Sequence, residues 1–233
     1  VSDLADAPLF PPLLSGEAVG TDPFAAAVER AAAGVRPGTI LYRETEGALS
    51  AAIVLAPELP LADAVGVVFA LQLALVDSLG ALGPPELAVH LVWPDRARLN
   101  GAVGPVWRAA ASHDDPDAEP DWLVVAVDIP LYTPGDRPGD TPERTTLAEE
   151  GFEPIGGRAI LESLSRHMLV WINRFVDDGF AAIGPTWTAA CDDVGGEIAA
   201  PVAGRMLGID ERGGLLVSCD GRTRTLPLTT MLQ

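Results

Sequence analysis

Leu91-Val-Trp-Pro-Asp95, Arg96-Ala-Arg98 and Leu99-Asn-Gly101 follow one another without a gap, and together they spell a strand, a stop and a turn. Glu86 to Trp93 is rich in β-formers and closed by Pro94, which has no N–H to give to a ladder. Asn100-Gly101 is a dipeptide favoured in tight hairpin turns, where both residues must accept positive φ. The chain is therefore expected to return as a strand over Ala102 to Ala110. Asp95, Arg96 and Arg98 lie between strand and turn. They read either as an exposed connection with a local ion pair or as charges facing a ligand.

Outward from there, Trp122 to Ile129 is a buried strand with one carboxylate inside it. A charge in an apolar strand must be hydrogen-bonded, paired or at an exposed end; Asp128 either caps a turn before Pro130 or faces a pocket. Upstream, residues 1–20 form an extended lead-in with Pro11 and Pro12. Thr21-Asp22-Pro23 is an N-cap with a first-turn proline, opening a helix that ends at Gly34. Strands are expected from Gly38 to Glu44 and from Ser50 to Leu55, and a helix from Pro60 to about Leu82. That helix is apolar nearly all round, so it is buried on several sides.

Downstream, Ser112 to Pro120 is an acidic surface loop and Pro134 to Pro142 a glycine–proline loop. Leu161, Leu164, Met168, Trp171 and Phe175 recur at helical spacing over Arg158 to Phe175. After Gly195, short pieces (Glu197 to Val202, Arg205 to Ile209, Leu215 to Cys219, Arg222 to Leu226) alternate with glycine turns. The expected fold class is α+β: a central, largely antiparallel or mixed sheet flanked by helices. Domain boundaries are set at 1–20 for the lead-in, 21–194 for the main domain and 195–233 for a small β-barrel-like unit, which is too short to hold its own core.

The 233 residues carry 15 cations against 33 anions, a net charge of −18. Such a surface repels a polyphosphate, so nucleic acid is not expected as a partner. All 15 cations are arginine; without lysine there is no Schiff base, no P-loop lysine and no ammonium acid. Cys191 and Cys219 are the only cysteines, and they and His90, His113 and His167 show no metal-ligand spacing. The apolar run Ala64 to Val76 is interrupted by Gln72 and is short for a bilayer of ~30 Å. With no secretory segment in view, the expected location is the cytoplasm, away from membranes, with both thiols free.

The succession of these pieces resembles the biotin–protein ligase and lipoate–protein ligase superfamily. Leu91-Val-Trp-Pro-Asp95 with Leu99-Asn-Gly101 is similar to the family's KWPND strand end and the turn after it. Trp122 to Ile129 matches its GIGIN-type strand. Gly204-Arg-Met-Leu-Gly-Ile-Asp210, Gly213-Gly-Leu-Leu-Val and Asp220-Gly221 look like the SH3-like C-terminal barrel of biotin ligases. The resemblance implies a small-molecule pocket for a biotin-, lipoate- or acyl-type ligand, with ATP or an acyl-adenylate as cofactor or intermediate. It places Trp93 at a corner facing the ligand and Asp128 on a strand passing under it. Arg43, Glu46, Asp95, Arg96, Asn100 and Gly101 complete the residues expected to line the site.

The departures point the other way. Tyr42-Arg-Glu-Thr-Glu-Gly-Ala-Leu-Ser50 runs almost straight from strand to strand, where biotin ligases carry an Arg/Gly-rich loop that closes over the ligand. Val92 replaces the motif's lysine, Asp95 its asparagine and Arg96 its aspartate. Ala102 or Val103 stands where the family's other catalytic lysine follows the turn. Charge develops on the α-phosphate during adenylation, and losing one donor there costs ~10²–10³ in rate. The expectation is a ligase-like protein that keeps a pocket without ordinary biotinylation. A divergent acyltransferase or ligase using arginine, and a non-catalytic module or homodimer scaffold, are the alternatives. Cys191 and Cys219 are expected to be inert thiols rather than acyl-transfer nucleophiles.

Overall fold

The structure, a computed structural model, describes residues 7–133, 141–153 and 155–233. The glycine–proline loop expected at 134–142 lies, apart from residues 141 and 142, outside the described residues. The main sheet has seven strands in the order β1-β2-β3-β7-β6-β5-β4, comprising β1 (Ser15–Ala18), β2 (Thr39–Glu44), β3 (Ala48–Leu55), β4 (Val89–Val92), β5 (Arg96–Leu99), β6 (Ala102–Ala111) and β7 (Leu123–Pro130). Only β1 runs parallel to its neighbour. A second sheet, ordered β11-β10-β9-β8, holds β8 (Glu197–Ile198), β9 (Gly204–Ile209), β10 (Leu215–Cys219) and β11 (Arg222–Leu226), all antiparallel.

The two faces of the main sheet are covered unequally. On one, α1 (Pro23–Ala32) lays Phe24, Ala27 and Ala31 on Leu41, Ala52, Val54, Ala110, Val124 and Ala126. The small residues let the helix sit close, and Asp22 caps it through the backbone N–H groups of Phe24 and Ala25. On the other lie α2 (Leu61–Ala64), α3 (Val67–Leu82), α4 (Gly157–Asp178) and α5 (Gly184–Ala190), around the main core. Leu61–Leu82 has the length and a mean hydropathy of 2.0 that would let a helix cross a membrane, and 72% of that apolar window is buried inside the protein. Burial, rather than the short run read from sequence, is what makes it a core helix.

The extended lead-in contributes a strand, Ser15–Ala18, which adds β1 to the sheet edge beside β2. Three expectations are corrected. Arg96 to Leu99 is strand β5, not a loop: Asn100 (φ +48) and Gly101 (φ +93) turn it back onto β6. The helix beginning at Pro60 is broken at Val65–Gly66 into α2 and α3. The strand expected over Glu197 to Val202 ends at Ile198.

The C-terminal sheet shares the main core. Met206, Leu215, Val217, Leu228 and Met231 belong to the same buried cluster as Phe69 and Trp187. Trp93 Nε1–H donates to Gly213 O at 2.9 Å across the junction, and Arg212 pairs with Asp63 of α2 at 3.0 Å. Gly213 combines φ +80 with a close approach, since a Cβ there would lie 2.9 Å from the Phe69 ring. Within the core, Gln72 is fully buried; its Nε2 donates to Pro94 O at 2.7 Å and its Oε1 accepts from Trp187 Nε1 at 2.6 Å.

Candidate functional site

Strand register builds a polar row on the face that carries α1. Arg43 of β2 lies opposite Ser50 of β3, Ser50 opposite Asp128 of β7, Asp128 opposite Val106 of β6, and Val106 opposite Arg96 of β5. Directly paired residues share a face, so these five side chains cross the sheet in one line. The next row, Leu41, Ala52, Ala126 and Arg108, runs under the N-terminal end of α1.

Where the rows meet α1, one arginine holds two carboxylates. Arg108 donates Nη1–H to Asp22 Oδ2 at 2.9 Å and Nη2–H to Asp22 Oδ1 at 2.8 Å, a two-pronged contact. Its Nη2 also lies 3.0 Å from Asp128 Oδ2, and Ser50 Oγ–H donates to Asp128 Oδ1 at 2.5 Å. The guanidinium stacks 4.7 Å above the Phe24 ring, while its Nε is buried without a hydrogen-bond partner among the described residues. The hydrogen bonds from Arg108 hold the Asp22 carboxyl below its usual range, aided by Coulomb attraction and the helix N–H groups. The cluster sets two carboxylates, a hydroxyl and a cation, paired with one another, at one end of an apolar floor.

The residues expected from sequence divide between this face and elsewhere. Arg43, Arg96 and Asp128 stand in the row. Asp95, at the start of β5, is raised in pKa by burial, partly offset by Arg96, whose Nε lies 3.5 Å away. Trp93 is 6% exposed, with its ring in the core and its N–H bound to Gly213, so it packs between the two sheets. Asn100 and Gly101 form the hairpin turn; Asn100 Oδ1 accepts from Ala88 N and its Nδ2 donates to Glu150. Glu46 sits in the exposed turn Thr45-Glu46-Gly47 that joins β2 to β3, closed by Thr45 N–H donating to Ala48 O at 2.9 Å. Next to it, Glu44 Oε1 accepts from Gly157 N at 2.9 Å and supplies the cap that the N-terminus of α4 otherwise lacks.

Asp22, read from sequence as a helix cap, and Ser50 and Arg108 were not among the residues expected to line the site. The signal was present in Arg108 and Asp128, opposite charges in adjacent strands of otherwise apolar character. Cys191 is 6% exposed and burial pushes its thiol up to about 11, while Cys219 is half-buried; both are free. Among the described residues, no group of histidine, cysteine and carboxylate side chains is arranged to hold a metal. The most voluminous cavity described, about 530 Å³, lies on the opposite side, between the end of β3 and α4, and its lining is apolar apart from Glu58.

The family model for biotin/lipoate A/B protein ligases matches residues 10–189. The chain belongs to that family. A biotin protein ligase-like protein of unknown function from Silicibacter sp. TM1040 superposes with a TM-score of 0.91 at 43% identity, covering 97% of this chain and 100% of that one. Biotin protein ligase from Aquifex aeolicus gives a TM-score of 0.73 at 17% identity, over 92% and 94% of the two chains. The same Aquifex enzyme solved in complex with biotin and ATP gives 0.68 at 18% identity, over 92% and 95%. No curated protein matches the chain significantly. The ligase fold thus extends over the C-terminal sheet as well as the seven-stranded one.

Proposed function

We propose that this member of the biotin/lipoate ligase family binds a small biotin-, lipoate- or acyl-type molecule on the α1 face of the sheet, without the lysine-dependent adenylation of biotin ligases. The observation that carries the reading is the Asp22–Arg108–Asp128–Ser50 cluster. It puts fixed polar groups on the strand that, by the resemblance, passes beneath the ligand, and the Aquifex relative solved with biotin and ATP makes that ligand class the first to try. Two features speak against ordinary biotinylation: the cations are all arginine, and β2 joins β3 through Thr45-Glu46-Gly47 with no covering loop. Residues 21–194, with β1 at their sheet edge, would form the binding domain, and 195–233 a small unit that shares its core. Free thiols at Cys191 and Cys219 suit a cytoplasmic protein.

The test is thermal unfolding with biotin, lipoate, octanoyl-CoA, ATP and a non-hydrolysable biotinyl-adenylate. At 100 times its dissociation constant a ligand stabilises by ~2.7 kcal/mol, which moves the midpoint of a chain this size by roughly 5–11 °C. A shift of that size from an acyl or adenylate ligand, with no ATP–pyrophosphate exchange, is the expected result. Silence across the whole panel refutes the pocket, and exchange at ligase-like rates refutes the lost chemistry. A second reading, an acyltransferase or ligase that uses arginine, draws on Arg43 and Arg96 standing in the same row as Asp128. It requires exchange activity that falls in an Arg96→Ala, Asp128→Asn double variant.

A further inference from the structure

Helix α4 buries one side in the core through Leu161, Leu164, Met168, Trp171 and Phe175. Its other side is open over the second half. Val170 is 63% exposed and Val176 69%, and Arg166, Asn173 and Asp177 are exposed with them. The described part of the lead-in meets α4 earlier, where Leu9 N–H donates to Glu162 Oε1 at 3.0 Å. The open stretch begins one turn further on.

The order of residues on that stretch is its informative feature. At 3.6 residues per turn, Arg166, Val170, Asn173 and Asp177 share an arc of about 60°. Half-buried Leu169 and exposed Val176 flank them on one side. The steps along the series are four, three and four residues, so its spacing is the same from either end. Its charges are not: a cation stands at one end and a carboxylate at the other. Such a face is complementary to a second copy of itself turned end for end. A two-fold axis between Trp171 and Ile172 sets Arg166 against the second copy's Asp177 and Val170 against its Asn173, and repeats both contacts beyond the axis. Net charge selects the same surface. Two chains of −18 repel over most of their area, whereas α4 sets Arg158, Arg166 and Arg174 against Glu162, Asp177 and Asp178 and so carries no net charge.

We infer that two copies of this chain associate through α4, antiparallel and related by a two-fold axis, with Arg166, Val170, Asn173 and Asp177 at the contact. The inference stands whether or not the α1 face takes a ligand. Because α1 covers the opposite face of the sheet, pairing through α4 leaves both α1 faces pointing outward. The four-residue series runs about 16 Å along the helix. That is a small patch beside a standard interface of ~1,200–2,000 Å², so the dimer is weak and forms at high micromolar concentration.

Sedimentation velocity from low micromolar to millimolar concentration tests it at low ionic strength. The wild type is expected to pass from monomer to dimer, and Val170→Glu to raise the dissociation constant about tenfold. Arg166→Asp and Asp177→Arg should each do the same, because symmetry puts like charges together at both ends of the contact. Mixing those two variants restores opposite charges at both ends, so they should associate with one another at close to the wild-type affinity. A wild type that stays monomeric throughout overturns the inference. So does a dimer that Val170→Glu leaves intact, which puts the contact on another surface. Loss of association in both charge variants without recovery in their mixture overturns the antiparallel pairing. Equal unfolding midpoints of all variants at low concentration exclude a folding defect, and recovery in the mixture itself requires both variants to be folded.

Discussion

Asp22 performs two tasks with one carboxylate: it caps α1 through Phe24 and Ala25 and it grips Arg108 on β6. Replacing an N-cap alone costs about 0.5–2 kcal/mol. Asp22→Ala is expected at or beyond the upper end of that range, because it also leaves Arg108 with Asp128 as its remaining carboxylate; urea unfolding measures it. The pH dependence has a definite sign. The folded carboxyl titrates below its ordinary value of 3.8, chiefly through the Arg108 hydrogen bonds. Its stabilisation is therefore complete above 3.8 and lost as pH falls through the lower folded value. Unfolding midpoints followed from pH 5 to pH 2 should fall less steeply in Asp22→Asn than in wild type. At alkaline pH the thiols separate: at pH 8 a thiol reagent is expected to modify Cys219 in the folded protein and Cys191 only after denaturation.

Elements with strong periodicity or clear punctuation were legible in the sequence. α1 was bounded by Asp22 and Gly34, α4 by its five apolar positions, and the β5–β6 turn by Asn100-Gly101. β5 was missed because Arg96-Ala-Arg98 alternates charge with a small residue, a pattern that looks like loop until Ala97 is seen buried against the core. β1 was missed because Ser-Gly-Glu-Ala has low strand propensity and holds its place by pairing with β2. Of the candidate site, Asp128 was visible as an anomaly, whereas its partners are 20 and 78 residues upstream and only the sheet brings them together. Gln72 in α3 was noticed merely as an interruption, yet it ties three elements. Gln72→Leu would orphan Pro94 O and Trp187 Nε1, costing about 2–4 kcal/mol, so the melting midpoint should drop by roughly 4–16 °C.

Across the whole molecule, the C-terminal sheet is part of the core rather than an ornament to it. A chain ending at residue 194 would expose the Phe69–Trp187 stack, whose ring centres lie 4.3 Å apart, and would lose the acceptor of Trp93. Such a chain is expected to bind a hydrophobic dye and to lose its cooperative melting transition, while Trp93→Phe in the full chain costs about 1 kcal/mol.

The short turn between β2 and β3 has a kinetic meaning. If the α1 face binds a ligand as proposed, the Thr45-Glu46-Gly47 connection is too short to fold over it and adds no closing step of its own. Stopped-flow mixing should then give one exponential phase whose rate rises linearly with ligand concentration, and residence times set by contacts alone. A reactive acyl-phosphate placed there would meet bulk water as readily as a nucleophile. Under the proposed reading, the short connection therefore favours a stable ligand over a labile acyl-phosphate.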